Sequence, residues 1–335
     1  MNTTTTSSLP LGAATPAPAT TARTAMRWPW VLLAIALASG LLFVLKGYQL
    51  FQATMVLAYA IALLGLNMLT GYNGQISLGH GAFFALGAYA AGILMEHAGM
   101  PYWATVPAAA AVCLVAGYLF GRPALKLEGL YLALATFALG VAMPQLLKYK
   151  HLEAWTGGVQ GIVLIKPDAP FGLPLTQDQW LYVFALGVTV VMFLIAHNLL
   201  SSGTGRAIRA IRDHAMAAEA MGVDNRHYKS MTFGVSAAYT GVGGALSAIA
   251  VQFVSPDSFT LFLSISLLVG IVVGGVGTLW GAFFGAIFIM FVPNLAEQVS
   301  KAAPWAVYGV VLIAIMFAMP GGVMGLFNKL RARRA

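Results

Sequence analysis

Charged residues are scarce in this chain: Asp, Glu, Lys and Arg make up 8% of its 335 residues, against 59% hydrophobic residues. One soluble core of this length could not hide so much apolar surface, which excludes a water-soluble globular enzyme and puts the chain in a bilayer. The mean hydropathy of +0.82 agrees. Cysteine is almost missing as well. Cys113 stands alone, so no intrachain disulfide can form and no cysteine-rich zinc site can be built. No Gly-Lys pair occurs, and with it goes the phosphate-cradling loop that ends in Gly-Lys-Ser/Thr. Gly-x-Ser-x-Gly is also absent, and the six histidines show no paired metal-ligand spacing. Nothing here calls for a catalytic residue, a metal or a cofactor, and energy for any work must come from elsewhere. Carboxylates are nearly missing from the apolar runs, since Glu96, Glu128 and Glu297 sit near run ends. That disfavours a proton-driven carrier.

What is present is a series of apolar runs. A hydrocarbon core of about 30 Å takes about 20 helical residues. The runs 28–45, 50–69, 76–95, 102–120, 129–147, 180–199, 231–253, 259–274, 280–294 and 305–320 therefore predict an all-α polytopic membrane protein of about ten transmembrane or re-entrant helices. The runs 259–274 and 280–294 are short and separated by Gly274, Gly275 and Gly277, and the run that begins near Gly74 is similarly weak. Residues 1–27, rich in Thr, Ala, Ser and Pro, are expected to form a disordered tail, with residues 28–327 as the transmembrane domain and 328–335 as a basic tail. The net charge of +8 is spread in short islands between apolar runs. Anionic headgroups and topology account for it better than nucleic acid does. Arg206, Arg209, Arg212, Arg226 and Lys229 predict that loop 200–230 is cytoplasmic. Arg122 and Lys126 agree, as do Lys329, Arg331, Arg333 and Arg334, so both termini are expected inside and loop 148–179 outside.

Two stretches carry more than apolarity. Gly203–Tyr228 is the one long charged island. Alanine is plentiful, proline is absent and Gly222 follows as a C-terminal cap, so Arg206–Met221 is expected to form about four helical turns. Ile208, Ile211, Ala215 and Ala218 share one stripe, and Arg209 and Asp213 are spaced to pair. A small apolar face with a charged rim suits a protein surface, so this is read as a docking helix; a basic loop that only sets topology is the alternative.

The second stretch, Gly71–Gly92, holds six glycines together with Asn73, Gln75, Ser77 and His80. These polar groups lie at or inside the membrane edge, where they must find partners or line a wet cavity. Two readings stand: interhelical packing with satisfied hydrogen bonds, or irregular backbone lining a translocation path. Gly81-Ala82-Phe83-Phe84 recurs as Gly281-Ala282-Phe283-Phe284, each after a glycine-rich break, as a two-part architecture or chance would give.

Over residues 28–327 the chain resembles the LivM-type permeases of bacterial branched-chain amino acid ABC transporters. The motifs are the run Gly74–Phe84 (GQISLGHGAFF), Thr156-Gly157-Gly158 with Gly161, and Gly205–Asp213 (GRAIRAIRD) continuing through Ala217–Gly222. The resemblance implies a membrane subunit in the bacterial inner membrane. A LivH-like second permease would pair with it, two ABC ATPase subunits would dock inside, and a periplasmic substrate-binding protein would deliver substrate outside. It makes Arg206, Arg209, Ile211, Arg212, Asp213, Glu219 and Gly222 part of a coupling helix. Similar permeases serve branched-chain amino acids, urea or short amides; a carrier or channel working alone is the reading from a different class.

Overall fold

A computed structural model describes residues 38–332, apart from 41, 43, 125, 126, 128, 173, 300 and 302. The expected tail 1–27, most of the first apolar run, Lys126 and the last three residues lie outside the described residues. The architecture is all-α. In chain order the helices are α1 (Tyr48–Asn67), α2 (His80–Glu96), α3 (Tyr102–Ala124), α4 (Leu130–Leu147), the single turn α5 (Glu153–Thr156), α6 (Gln177–Ser201) and α7 (Gly203–Ala220). They continue as α8 (Asn225–Val251), α9 (Leu261–Gly274), α10 (Gly281–Val299), α11 (Pro304–Ala318) and α12 (Gly322–Ala332). Eight helical segments among the described residues are long and apolar enough to cross a membrane. The difference from ten has two sources. The first run lies mostly outside the described residues, and α2 begins at His80 rather than at residue 76, which leaves it only 17 residues.

The axis of the bundle is α8. Its 27 residues run for about 40 Å, longer than a hydrocarbon core. Its lower turns start earlier than apolarity alone indicates because Asp224 caps them, its Oδ1 accepting from the His227 amide at 3.0 Å. Its middle, Ser236–Ala248, is built of small residues, so α1, α2 and α3 all approach closely. A Cβ on Gly244 would run into the backbone of Phe84, and one on Gly243 into that of Ala58. Both α8 and α1 are almost wholly buried, whereas α11 and most of α6 expose apolar side chains as a lipid-facing layer does.

At one end of the bundle, the long loop after α4 is tied down. Its strand β1 (Ile162–Val163) pairs antiparallel with β2 (Phe253–Val254), placing Ile162 opposite Val254. Lys148 pairs with Asp257 and Lys166 with Asp178. Helix α6 starts there with a capping box made by Thr176 and Gln179. At the opposite end lies α7, amphipathic and packed beneath α6, α8 and the end of α1.

Candidate functional site

The site is built around two interruptions. The first follows α1, whose last turn widens into a π-helix at Met68–Tyr72; residues 73–79 are then non-helical until α2 starts at His80. At about 25 Å, α2 is shorter than a hydrocarbon core of about 30 Å, and this irregular segment extends it toward the end of α1. Hydroxyls from two other helices receive its amides. Thr136 Oγ1 of α4 accepts from the Leu78 amide at 2.9 Å, and Ser264 Oγ of α9 accepts from the Gly81 amide at 2.9 Å. Gly79, the residue before α2, supplies no side-chain cap, so Ser264 does that work from 183 residues away.

His80 is fully buried between two serines, with Nδ1 2.7 Å from Ser77 Oγ and Nε2 2.7 Å from Ser236 Oγ of α8. Ser236 gives its own proton to the Gly65 carbonyl at 2.7 Å. One hydroxyl has one proton, so Nε2 donates to Ser236 and Nδ1 accepts from Ser77, a neutral imidazole with both nitrogens used. Ser77 and His80 thus form a closed, satisfied network. Asn73 and Gln75 do not: both are buried, yet Asn73 Nδ2 and Oδ1 and Gln75 Nε2 have no hydrogen-bond partner among the described residues. Between and beside them Gly74 and Ile76 are exposed, so residues 73–77 alternate inward and outward like an extended ribbon on the flank of the chain.

The second interruption, residues 275–280, separates α9 from α10 and precedes the repeated Gly-Ala-Phe-Phe at Gly281. The two interruptions touch. Asn67, fully buried at the end of α1, accepts from the Gly277 amide at 2.8 Å and donates to the Thr278 carbonyl at 2.7 Å. Gly71 permits this approach, because a Cβ there would overlap the Asn67 amide and the Gly277 backbone.

Helix α7 rests on this junction. Of the expected apolar stripe, Ile208, Ile211 and Ala218 are buried, whereas Ala215, next to the kink at His214, is only half-buried. Arg206, Asp213 and Glu219 point outward, and Met216 and Met221 are 87% and 85% exposed. Gly222 closes the helix with φ of +85°; its amide bonds the Glu219 carbonyl at 2.9 Å and the Val223 amide bonds Ala218 at 3.0 Å, a Schellman arrangement. Two details differ from expectation. The helix begins at Gly203 and is kinked at His214, whose φ of −153° and ψ of 94° are non-helical; Asn225 of α8 takes up the nearby Ala215 carbonyl at 2.8 Å. Arg209 does not pair with Asp213. It donates to the Leu200 carbonyl at 3.0 Å, one of the unsatisfied carbonyls that end α6, and Asp213 pairs with its neighbour Arg212 instead. Arg212 also reaches out of α7: its Nη1 donates to the Gly71 carbonyl at 3.0 Å.

At the far end, Thr156 is buried and its hydroxyl reaches the Leu147 and Leu152 carbonyls at 2.8 and 3.0 Å while accepting from the Gly158 amide at 3.2 Å. Gly157, Gly158 and Gly161 all have positive φ. The Thr-Gly-Gly motif therefore shapes the loop. The interhelical partners Asn67, Thr136, Ser236 and Ser264 were not singled out by sequence; a polar residue inside an apolar run was their only signal.

These features define a multi-pass membrane protein whose helix breaks converge on an amphipathic helix at one end. The chain belongs to the family described as branched-chain amino acid transport system / permease component, matched over residues 48–320. It is similar to the high-affinity branched-chain amino acid transport system permease protein LivM of Escherichia coli K12, 31% identical over 295 residues, covering 81% of this chain and 69% of LivM. LivH of the same organism is 22% identical over 307 residues, covering 83% and 94%. BraD of Pseudomonas aeruginosa is 22% identical over 282 residues, covering 80% and 91%. No solved structure matches the chain.

Proposed function

We propose that this permease works as one membrane subunit of an ATP-driven importer for branched-chain amino acids, beside a LivH-like second permease. The observation that carries the reading is the ribbon at residues 73–79. Irregular backbone at membrane depth cannot face lipid, because its amides and carbonyls would go unsatisfied there, yet Gly74 and Ile76 are exposed on the surface of this chain. A second permease covers that flank, and the substrate path runs between the two, with Gly74 and Ile76 facing it and the unpaired amides of Asn73 and Gln75 buried directly behind, reaching substrate when the path opens. Ser77 and His80 hold the ribbon in place from behind.

Helix α7 is the cytoplasmic handle for two separate ATPase subunits. Its outer surface presents Arg206, Asp213, Glu219 and two exposed methionines to a soluble partner, Ile211 and Arg209 anchor it to the bundle, and Gly222 ends it. A chain without a phosphate-cradling loop requires such partners for ATP hydrolysis. Both termini then lie inside and the tied-down loop lies outside, where Thr156-Gly157-Gly158 shape the face met by a periplasmic binding protein. Branched-chain amino acids are the substrate favoured over urea or amides because the relatives named above carry that substrate in their names. The test is gentle solubilisation of the tagged chain from its host. Co-purification of a second permease and an ATPase, with leucine uptake that stops on ATP depletion, is the expected result. Uptake that survives ATP depletion, with no ATPase recovered, would make the chain a carrier or channel working alone.

A further inference from the structure

We infer that Arg212 is the positioning residue through which α7 moves the substrate path, because it clasps the end of the first helix to the docking helix at Gly71 and, through Asn67, is linked to the second break. This rests on the ABC-permease reading above and says where in the chain the coupling passes. The guanidinium does two things at once. Nε and Nη2 hold Asp213 on α7, each at 2.9 Å, and Nη1 holds the Gly71 carbonyl at the end of the π-helical turn at 3.0 Å. Gly71 abuts Asn67, and Asn67 grips Gly277 and Thr278 in the second break. Gly74, the first residue of the exposed ribbon, has φ of +75° and lies against the Arg212 stem: a Cβ there would come within 3.0 Å of Arg212 Cγ. A push on α7 therefore reaches residues 71–74 and 275–280 together, through one side chain and one buried amide. The contacts of α7 with α6, by contrast, end on that helix's terminal carbonyls. Carbonyl oxygens freed at a π-turn are available for such a bond, and a planar guanidinium can span two acceptors where an ammonium serves one direction at a time.

The experiment uses the complete complex in liposomes, measuring leucine taken up per ATP hydrolysed. Arg212→Met keeps the stem that packs on Gly74 and removes the donors; Arg212→Lys keeps a donor. With Arg212→Met the uptake per ATP is expected to fall roughly tenfold or more, the worth of one charge-assisted hydrogen bond, while ATP hydrolysis persists. Arg212→Lys is expected to recover part of the ratio. A residue that merely stabilises the fold would lower uptake and hydrolysis in proportion, which would overturn the inference. So would an unchanged ratio in Arg212→Met, or loss of the ATPase from the Arg212→Met complex, which would assign Arg212 to the docking contact itself. A wild-type chain that recruits no ATPase fails earlier and separately, at the function proposed above.

Discussion

Asn67 and Gly277 lie 210 residues apart in sequence and 2.8 Å apart in space, joined by the side-chain oxygen of one and the amide of the other. This bond and its companion to Thr278 make one body of two interruptions that the chain forms separately. Asn67→Leu leaves a half-buried amide and a half-buried carbonyl without partners. It is expected to cost about 1–3 kcal/mol in total, since water reaches part of each orphaned group. Thermal unfolding in detergent, followed by size-exclusion of the heated sample, measures it; an unchanged midpoint would mean that the two groups are satisfied in another way.

The four polar residues of the first break should separate into two behaviours. Ser77 and His80 are spent on a closed network, so Ser77→Ala and His80→Phe are expected to lower stability. Asn73 and Gln75 already bear the desolvation of unpartnered amides, so Asn73→Ala and Gln75→Ala should leave the unfolding midpoint unchanged or raise it. If they face the substrate, uptake falls in these two variants although the protein is no less stable. Measuring midpoint and uptake on the same four preparations decides it, and full uptake by both alanine variants removes them from the path.

Close approach at α8 should tolerate no side chain. Gly244→Val drives a branched Cβ into the backbone of Phe84, and no rotamer of a neighbour relieves a collision with main chain. Overpacking of this kind costs about 1–3 kcal/mol or more. The expected outcome is loss of the monodisperse peak on fluorescence-detected size exclusion, with little change for the same substitution at Gly187, where no atom of the described residues lies near.

Sidedness can be read with thiols, since Cys113 is buried and should give little background. Ile165 is 87% exposed on the tied-down loop and Met216 is 87% exposed on α7. A cysteine at position 165 should react with an impermeant reagent added outside intact cells, and one at position 216 only after the cells are opened. The opposite pattern would invert the orientation.

The helices were legible because apolar runs of about 20 residues leave few alternatives, and α7 was legible because charge, alanine content and Gly222 all pointed the same way. The partners in the breaks were not. Thr54, Thr189 and Thr240 are hydroxyls in apolar runs that bond back to carbonyls four residues earlier in their own helices. Ser236 and Ser264 look the same in sequence, yet they reach other helices. Only tertiary placement separates the two uses. The spacing of Arg209 and Asp213 misleads for a related reason: spacing along one helix says nothing of the unsatisfied carbonyls that a neighbouring helix presents.

The bond from the Gly81 amide to Ser264 also bears on biogenesis. The amide near the start of α2 emerges from the ribosome 183 residues before the hydroxyl that receives it, so the early helices enter the bilayer with their entry turn provisional. Nascent chains halted before α9 should therefore hold this turn open to proteolysis, and the fold around it should close only when α9, in the last quarter of the polypeptide, has been inserted.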